Sequence, residues 1–235
     1  MDTAAALLID QCAMVRSGCR QALERAGYLV VADVATRAQA IAELVTHHPH
    51  LVVLELTAGT GGIDTIKRLL TIDQSIRILV FSMHDEPHIA ERALQAGAHG
   101  YVAKSASVDE FLAGARTVSQ GGRYLNEELA LTLALSPLSK HIDPLEALTN
   151  REFEIFLLLV EGQRTGEISA LLDLTPKSVT NTYLRIKRKL RARGMADLIR
   201  LAVNTGMLKR NVMVFNPQPG SRDDSLGNDP LSLPA

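Results

Sequence analysis

The chain has 235 residues, 46% hydrophobic and 22% charged, with a formal net charge of −1. That size gives one or two domains with cores of their own. The composition excludes a disordered or fibrous chain, and no apolar run approaches the roughly 18 residues that would span a bilayer.

In chain order, AALLI (5–9) is a short apolar run ending at Asp10. With no basic leader before it, a signal peptide is not expected. Cys12 and Cys19 lie in one helical segment, and their seven-residue spacing rises roughly 10 Å, too far for a disulfide within the chain. A reducing cytoplasm is the expected location. YLVVADV (28–34), LVVLEL (51–56), IRILVFS (76–82) and HGYVAK (99–104) are further apolar runs, several rich in β-branched residues. Between them the spacing turns helical: Met14, Val15, Cys19, Ala22 and Leu23; Ile41, Leu44 and Val45; Ile63, Ile66, Leu69 and Leu70; then Phe111, Leu112, Ala115 and Val118. Gly27, Gly97 and the pair Gly121-Gly122 stand where such helices should stop. Near-continuous apolar strands alternating with helices predict an α/β fold, a five-stranded doubly wound parallel sheet over residues 1–122. Sheets of this kind carry their sites at the carboxyl ends of the strands. Those ends are Asp10, Glu55, Ser82 and Lys104, so an acid at the end of LVVLEL is expected to face a polar crevice with a lysine.

Residues 123–144 read as a linker with a short helix, NEELALTLAL. The second domain, 145–208, is all-α. Thr149 and Glu152 form a capping box, Thr165 is placed to cap EISALLD, and Thr175-Pro176 is an N-cap followed by Pro at the first helical position. With ADLIRLAVNTGM this makes four short helices in a helix-turn-helix pattern. Residues 209–235, rich in Pro, Gly and Asp, read as a disordered tail.

The charge is divided unevenly. Residues 145–210 hold twelve Lys or Arg against seven Asp or Glu, while the first 144 are net acidic. The excess is concentrated between Pro176 and Arg193, with seven basic residues and no acid. On a helical plot Val179, Tyr183, Ile186 and Leu190 form one buried stripe. The opposite side carries Lys177, Asn181, Leu184, Arg185 and Arg188, with Ser178 at its start and Thr180 at its edge. A helix lying in the major groove needs that mixture: cations for phosphates, amide, hydroxyl and apolar groups for base edges. A solvated basic face is the plainer reading, but the run falls on the third helix of the pattern. Double-stranded DNA is therefore the expected partner, bound as a homodimer because one such helix reads only a short half-site. No membrane partner is expected.

Both halves resemble two-component response regulators of the NarL/FixJ/LuxR type. LTNREFEIFLLLVEGQRTGEISALLDLTPKSVTNTYLRIKRKL is similar to that family's helix-turn-helix domain, with Thr180 and Thr182 where the family usually has Lys and His. LLID, AMVR, LVVLEL, FSMHDE and GAHGYVAK are similar to its receiver domain. The resemblance implies a non-enzymatic transcription regulator in which acids after the first strand bind Mg²⁺, an Asp ending the third strand accepts phosphate from a histidine kinase, a hydroxyl and a Lys hold the phosphoryl group, and an aromatic reports the change. Asp10, Ser82, Lys104 and Tyr101 match those positions. Gln11 replaces the second acid, Glu55 replaces the phosphoacceptor, and the loop LTAGTGG is one residue short. Mg²⁺ demands near-ideal oxygen geometry, and Glu55 moves its carboxylate by more than ~1 Å in a transfer that depends on positioning. No cofactor is expected, and regulation without phosphorylation is. Three readings stay open for Glu55: it imitates the phosphoryl group on Lys104 and Ser82, it locks Lys104 structurally, or it is a relic in a surface gated by a protein or small ligand. The rival functions are a relay step still phosphorylated by a histidine kinase and a protein-binding antagonist of a related regulator.

Other residues are read plainly. His47, His48 and His50 suit a helix C-terminus better than a metal site, Asp64 suits a helix N-terminus, and His84 and His88 are expected to be exposed.

Overall fold

The computed structural model describes residues 4–56, 62–135, 144–205 and 207. Six parallel strands stand in the order β2-β1-β3-β4-β5-β6: β1 Ala5–Ile9, β2 Leu29–Val34, β3 Leu51–Leu54, β4 Arg77–Ser82, β5 Gly100–Ala103 and β6 Tyr124–Leu125. The intervening helices are α1 Ala13–Arg25, α2 Arg37–His47, α3 Gly62–Ile72, α4 Pro87–Gln95 and α5 Val108–Ser119. Five strands are expected from sequence; the sixth is two residues long and pairs Gly100 and Tyr101 with Tyr124 and Leu125. A two-residue strand has no alternation to read. Cys12, placed in the first helix by spacing, is instead the exposed N-cap of α1, and Cys19 is buried.

Alternate residues of the buried strands feed two cores. Leu7, Ile9, Val52, Leu54, Ile78 and Val80 pack beneath α2, α3 and α4. Ala6, Leu8, Leu51, Val53, Leu79 and Val102 pack with Cys19 and Leu23 of α1 and Phe111, Ala115 and Val118 of α5. Helix starts follow local chemistry: Thr36 accepts from Gln39 N ahead of α2, and Ser107 with Glu110 makes a capping box ahead of α5.

After α6 (Glu127–Leu135) and a 3₁₀ turn (Pro144–Ala147), four helices follow: α7 Asn150–Val160, α8 Thr165–Leu172, α9 Pro176–Lys189 and α10 Met195–Asn204. The Thr149–Glu152 capping box opens α7, and Thr175 with Pro176 opens α9. Thr165 is the first residue of α8 rather than its cap. Arg164 takes that place, its N–H donating to Glu167 Oε2 at 2.6 Å; the reaching Glu fixes the start one residue earlier than the hydroxyl suggests. The expected tail, from 209 on, lies outside the described residues.

The two halves touch. The core beneath α2, α3 and α4 continues into Phe153, Phe156 and Leu158 of α7. Arg92 of α4 donates to the carbonyls of Leu148 (3.1 Å) and Leu145 and lies 4.2 Å from the centre of the Phe153 ring. Gly62, with φ +55°, meets α7 so closely that a Cβ there would collide with Glu154 Oε1.

Candidate functional site

The sheet register brings four strand ends into one crevice. Ile9 pairs with Leu54, Leu54 with Val80, and Ser82 with Ala103. Backbone bonds carry the ladder one residue further: Asp10 N to Val34 O, Glu55 N to Ile9 O and Lys104 N to Ser82 O, at 3.0, 2.9 and 2.7 Å. Asp10, Glu55, Ser82 and Lys104 are thus placed by main chain, beside the point where strand order reverses between β1 and β3.

Their side chains form one buried network. Glu55 is 1% exposed. Its Oε1 accepts from Ser82 Oγ and from Leu56 N, both at 2.8 Å, and its Oε2 is ion-paired with Lys104 Nζ. Lys104 Nζ also meets Asp10 Oδ2 at 2.5 Å, while Asp10 Oδ1 accepts from Cys12 N at 2.7 Å. Burial opposes the charge on Lys104, and the hydrogen bonds its ammonium donates to Asp10 and Glu55 overcome that, raising its pKa. Every carboxylate oxygen of the crevice therefore already has a donor or an ammonium.

That geometry tests the Mg²⁺ the family implies. Mg²⁺ keeps several waters and needs anionic oxygens arranged octahedrally. Here the cation between the acids is Lys104, and Gln11 is exposed outside the network. The residues present do not fit the ion.

A second chain of bonds leaves the crevice. Ser82 Oγ accepts from His84 N at 3.3 Å, and His84 O accepts from the hydroxyl of Tyr101 at 2.8 Å. Tyr101 is fully buried, which raises its pKa. His84, expected to be exposed, is half-buried because the β4–α4 loop folds back over Ser82. Its ring lies 3.4 Å from Glu86. Burial lowers its basicity, and the bond to Glu86 together with the charges of Glu86, Glu161 and Glu55 outweighs that. His47 and His48 lie against Glu43 and Asp73, and no metal-holding cluster occurs among the described residues.

On α9, Val179 and Ile186 are buried and Lys177, Thr180, Asn181, Leu184, Arg185 and Arg188 are exposed. Ser178 is half-buried, its N–H bonded to the cap Thr175. Thr182 is buried and donates to Ser178 O at 2.9 Å, and Arg185 Nη2 donates to Thr182 Oγ1 at 2.8 Å. Lys189 pairs with Glu152 at 2.6 Å, so its charge is partly spent within the domain. Sequence reasoning missed Arg92 and Glu154, which act between the halves. Their only signal was a charged residue on an otherwise apolar helix face.

A doubly wound sheet with acid, hydroxyl and ammonium at its strand ends, joined to a helix-turn-helix unit with a basic outer helix, defines a receiver coupled to a transcription-regulatory domain. The chain belongs to the response regulators of the luxR family, which are transcription regulators and not enzymes. Residues 6–116 match the response regulator receiver domain, and residues 146–202 match the bacterial regulatory proteins of the luxR family. The response regulator UvrY of Escherichia coli (strain K12) is 31% identical over 205 residues, 86% of this chain and 94% of UvrY. The response regulator GacA of Pseudomonas protegens is 31% identical over 205 residues, 86% of this chain and 96% of GacA. RcsB of Salmonella typhimurium shares the fold, with a TM-score of 0.69 at 23% identity over 87% of this chain and 99% of its own. A LuxR-family response regulator from Aurantimonas sp. SI85-9A1 is 34% identical with a TM-score of 0.56, covering 59% of this chain and all of that one.

Proposed function

We propose that this chain is a sequence-specific regulator that binds double-stranded DNA as a homodimer and signals without aspartyl phosphorylation, Glu55 standing where a phosphorylated acid would act. The observation that carries the reading is the double engagement of Glu55. A structural lock requires only Lys104; imitation of a phosphoryl group requires Ser82 as well, and the Ser82 hydroxyl donates to Glu55 Oε1. From Ser82 the bonds run through His84 to Tyr101 and the start of α4, and α4 carries Arg92 to the DNA-binding domain. A neutral Gln11 and a lysine held between two acids support the absence of phosphoryl transfer, which depends on metal charge and alignment.

For the DNA-binding half, Lys177, Arg185 and Arg188 take phosphates, while Thr180, Asn181 and Leu184 meet base edges, with Ser178 at the helix start. Leu184 is 55% exposed amid polar residues, as a side chain that packs on a thymine methyl needs to be. RcsB, alike in fold, has been solved on promoter DNA and as dimers on DNA.

The test is DNA binding across the genome by the wild type beside Glu55→Ala and Glu55→Asp. The reading expects lost or redistributed occupancy in Glu55→Ala. Three matching profiles would sink it.

A further inference from the structure

Thr182 is a buried hydroxyl on the inner stripe of α9, 4% exposed and in line with buried Val179 and Ile186. Its one hydrogen goes to Ser178 O at 2.9 Å, which leaves its oxygen as an acceptor. Arg185 Nη2 donates to that oxygen at 2.8 Å. The neighbouring Nε of the same guanidinium lies 3.6 Å from Glu152 Oε1 of α7. Glu152 is itself fixed: Thr149 N and Oγ1 donate to its Oε2 at 2.9 and 3.1 Å, and Lys189 Nζ reaches it at 2.6 Å. At 3.6 Å, Glu152 steers Arg185 without taking a hydrogen from it, and its charge is shared with Lys189.

A guanidinium has two flat forks of donors, Nε with Nη2 and Nη1 with Nη2. Thr182 and Glu152 face the first. The second, Nη1 with the remaining hydrogen of Nη2, has no partner among the described residues, and the Arg185 side chain is 53% exposed. Long side chains lose rotamer freedom when they bind; this one is held in place before any partner arrives. The open fork matches two oxygens of one phosphate. Arg185 stands in the second half of α9, and a helix in the major groove turns its N-terminal residues to the bases. A phosphate, rather than a base edge, is therefore the group it meets.

We propose that Thr182 is a positioning residue for DNA binding. With Glu152 it holds the inner fork of Arg185, so that the outer fork meets a backbone phosphate preformed. The inference rests on the reading of α9 as the DNA-contacting helix and adds to it a buried residue that touches no DNA. Phosphate contacts fix the register of a protein on the duplex, so Thr182 also settles which base pair Thr180 and Asn181 face.

The test uses the full-length protein and a duplex recovered by the wild type from a random-sequence selection, with affinity measured across a series of KCl concentrations. Thr182→Val keeps the shape of the side chain and the charge of Arg185. It should weaken binding about three- to tenfold, the cost of ordering one long side chain, with the salt slope unchanged. Thr182→Ser, which keeps the hydroxyl, should bind as the wild type does. Arg185→Ala should lower the salt slope by about one. Arg185→Lys keeps the charge without the fork, and adding Thr182→Val to it should cost nothing further. Undiminished affinity in Thr182→Val, no rescue by Thr182→Ser, or an equal loss from Thr182→Val in the Arg185→Lys background overturns the proposal and leaves the DNA-binding reading standing. Failure of the wild type to select any duplex overturns both.

Discussion

Lys104→Ala removes the cation that pairs with both acids of the strand-end crevice. Its ammonium meets Asp10 Oδ2 at 2.5 Å and Glu55 Oε2 more closely still, and its side chain is 9% exposed. Breaking one buried ion pair by deleting a partner costs about 3–5 kcal/mol, because the remaining charge is left uncompensated. Two carboxylates lose their partner here, so the cost should lie at the upper end, about 4–5 kcal/mol. Glu55→Gln is milder: Lys104 keeps Asp10, and the Gln oxygen still accepts from Ser82, so about 1–2 kcal/mol is expected. Lys104→Ala combined with Glu55→Gln should cost less than the sum of the two single changes by about 2 kcal/mol, the coupling of residues in direct contact. Urea unfolding followed by far-ultraviolet circular dichroism reads all three. With a slope of about 2 kcal/mol per molar urea, Lys104→Ala should lower the midpoint by about 2 M. A loss under about 1 kcal/mol, or strict additivity in the double variant, would refute the picture of a buried, mutually dependent network.

Three other outcomes are expected. Glu154 has a folded pKa of about 7, above its ordinary 4.5, so its stabilising contribution is full below pH 4.5 and is lost as pH rises through 7. That interval is worth about 3 kcal/mol, and urea midpoints from pH 5 to 8 should show a decline that is smaller in Glu154→Gln. Arg92→Ala removes the donor to Leu145 and Leu148 and the cation over Phe153; small-angle scattering should show a larger radius of gyration, and an unchanged radius would deny Arg92 its clamping role. On a bound operator, Arg188→Ala should weaken affinity evenly across sequences and lower the salt slope by about one, whereas Asn181→Ala should cost about 1–3 kcal/mol and relax preference at one base pair.

How much of this was legible in the sequence depends on how local its cause is. LVVLEL and IRILVFS are buried on both faces, so their apolar runs announce a parallel sheet, and their last residues announce where a crevice must lie. Asp10, Glu55, Ser82 and Lys104 meet because each ends a strand of one register. The caps at Thr149 and Thr175 are single-turn chemistry and equally readable. β6 left no signal because two residues show no period. His84 was misjudged because its burial follows from a loop folding back onto Ser82, a tertiary event. Arg92 and Glu154 were missed for the same reason at longer range: Arg92 bonds to Leu148, 56 residues on, and Glu154 is buried only because Gly62 lets α7 approach the receiver. Sequence patterns describe the face a helix turns to its own core and are silent on a second contact made by the same helix.

The most direct test of the central claim is the intact mass of the full-length protein after incubation with acetyl phosphate and Mg²⁺. With Lys104 held between Asp10 and Glu55 and Gln11 outside the network, the mass should stay that of the unmodified chain. Stoichiometric gain of one phosphoryl group would contradict the account.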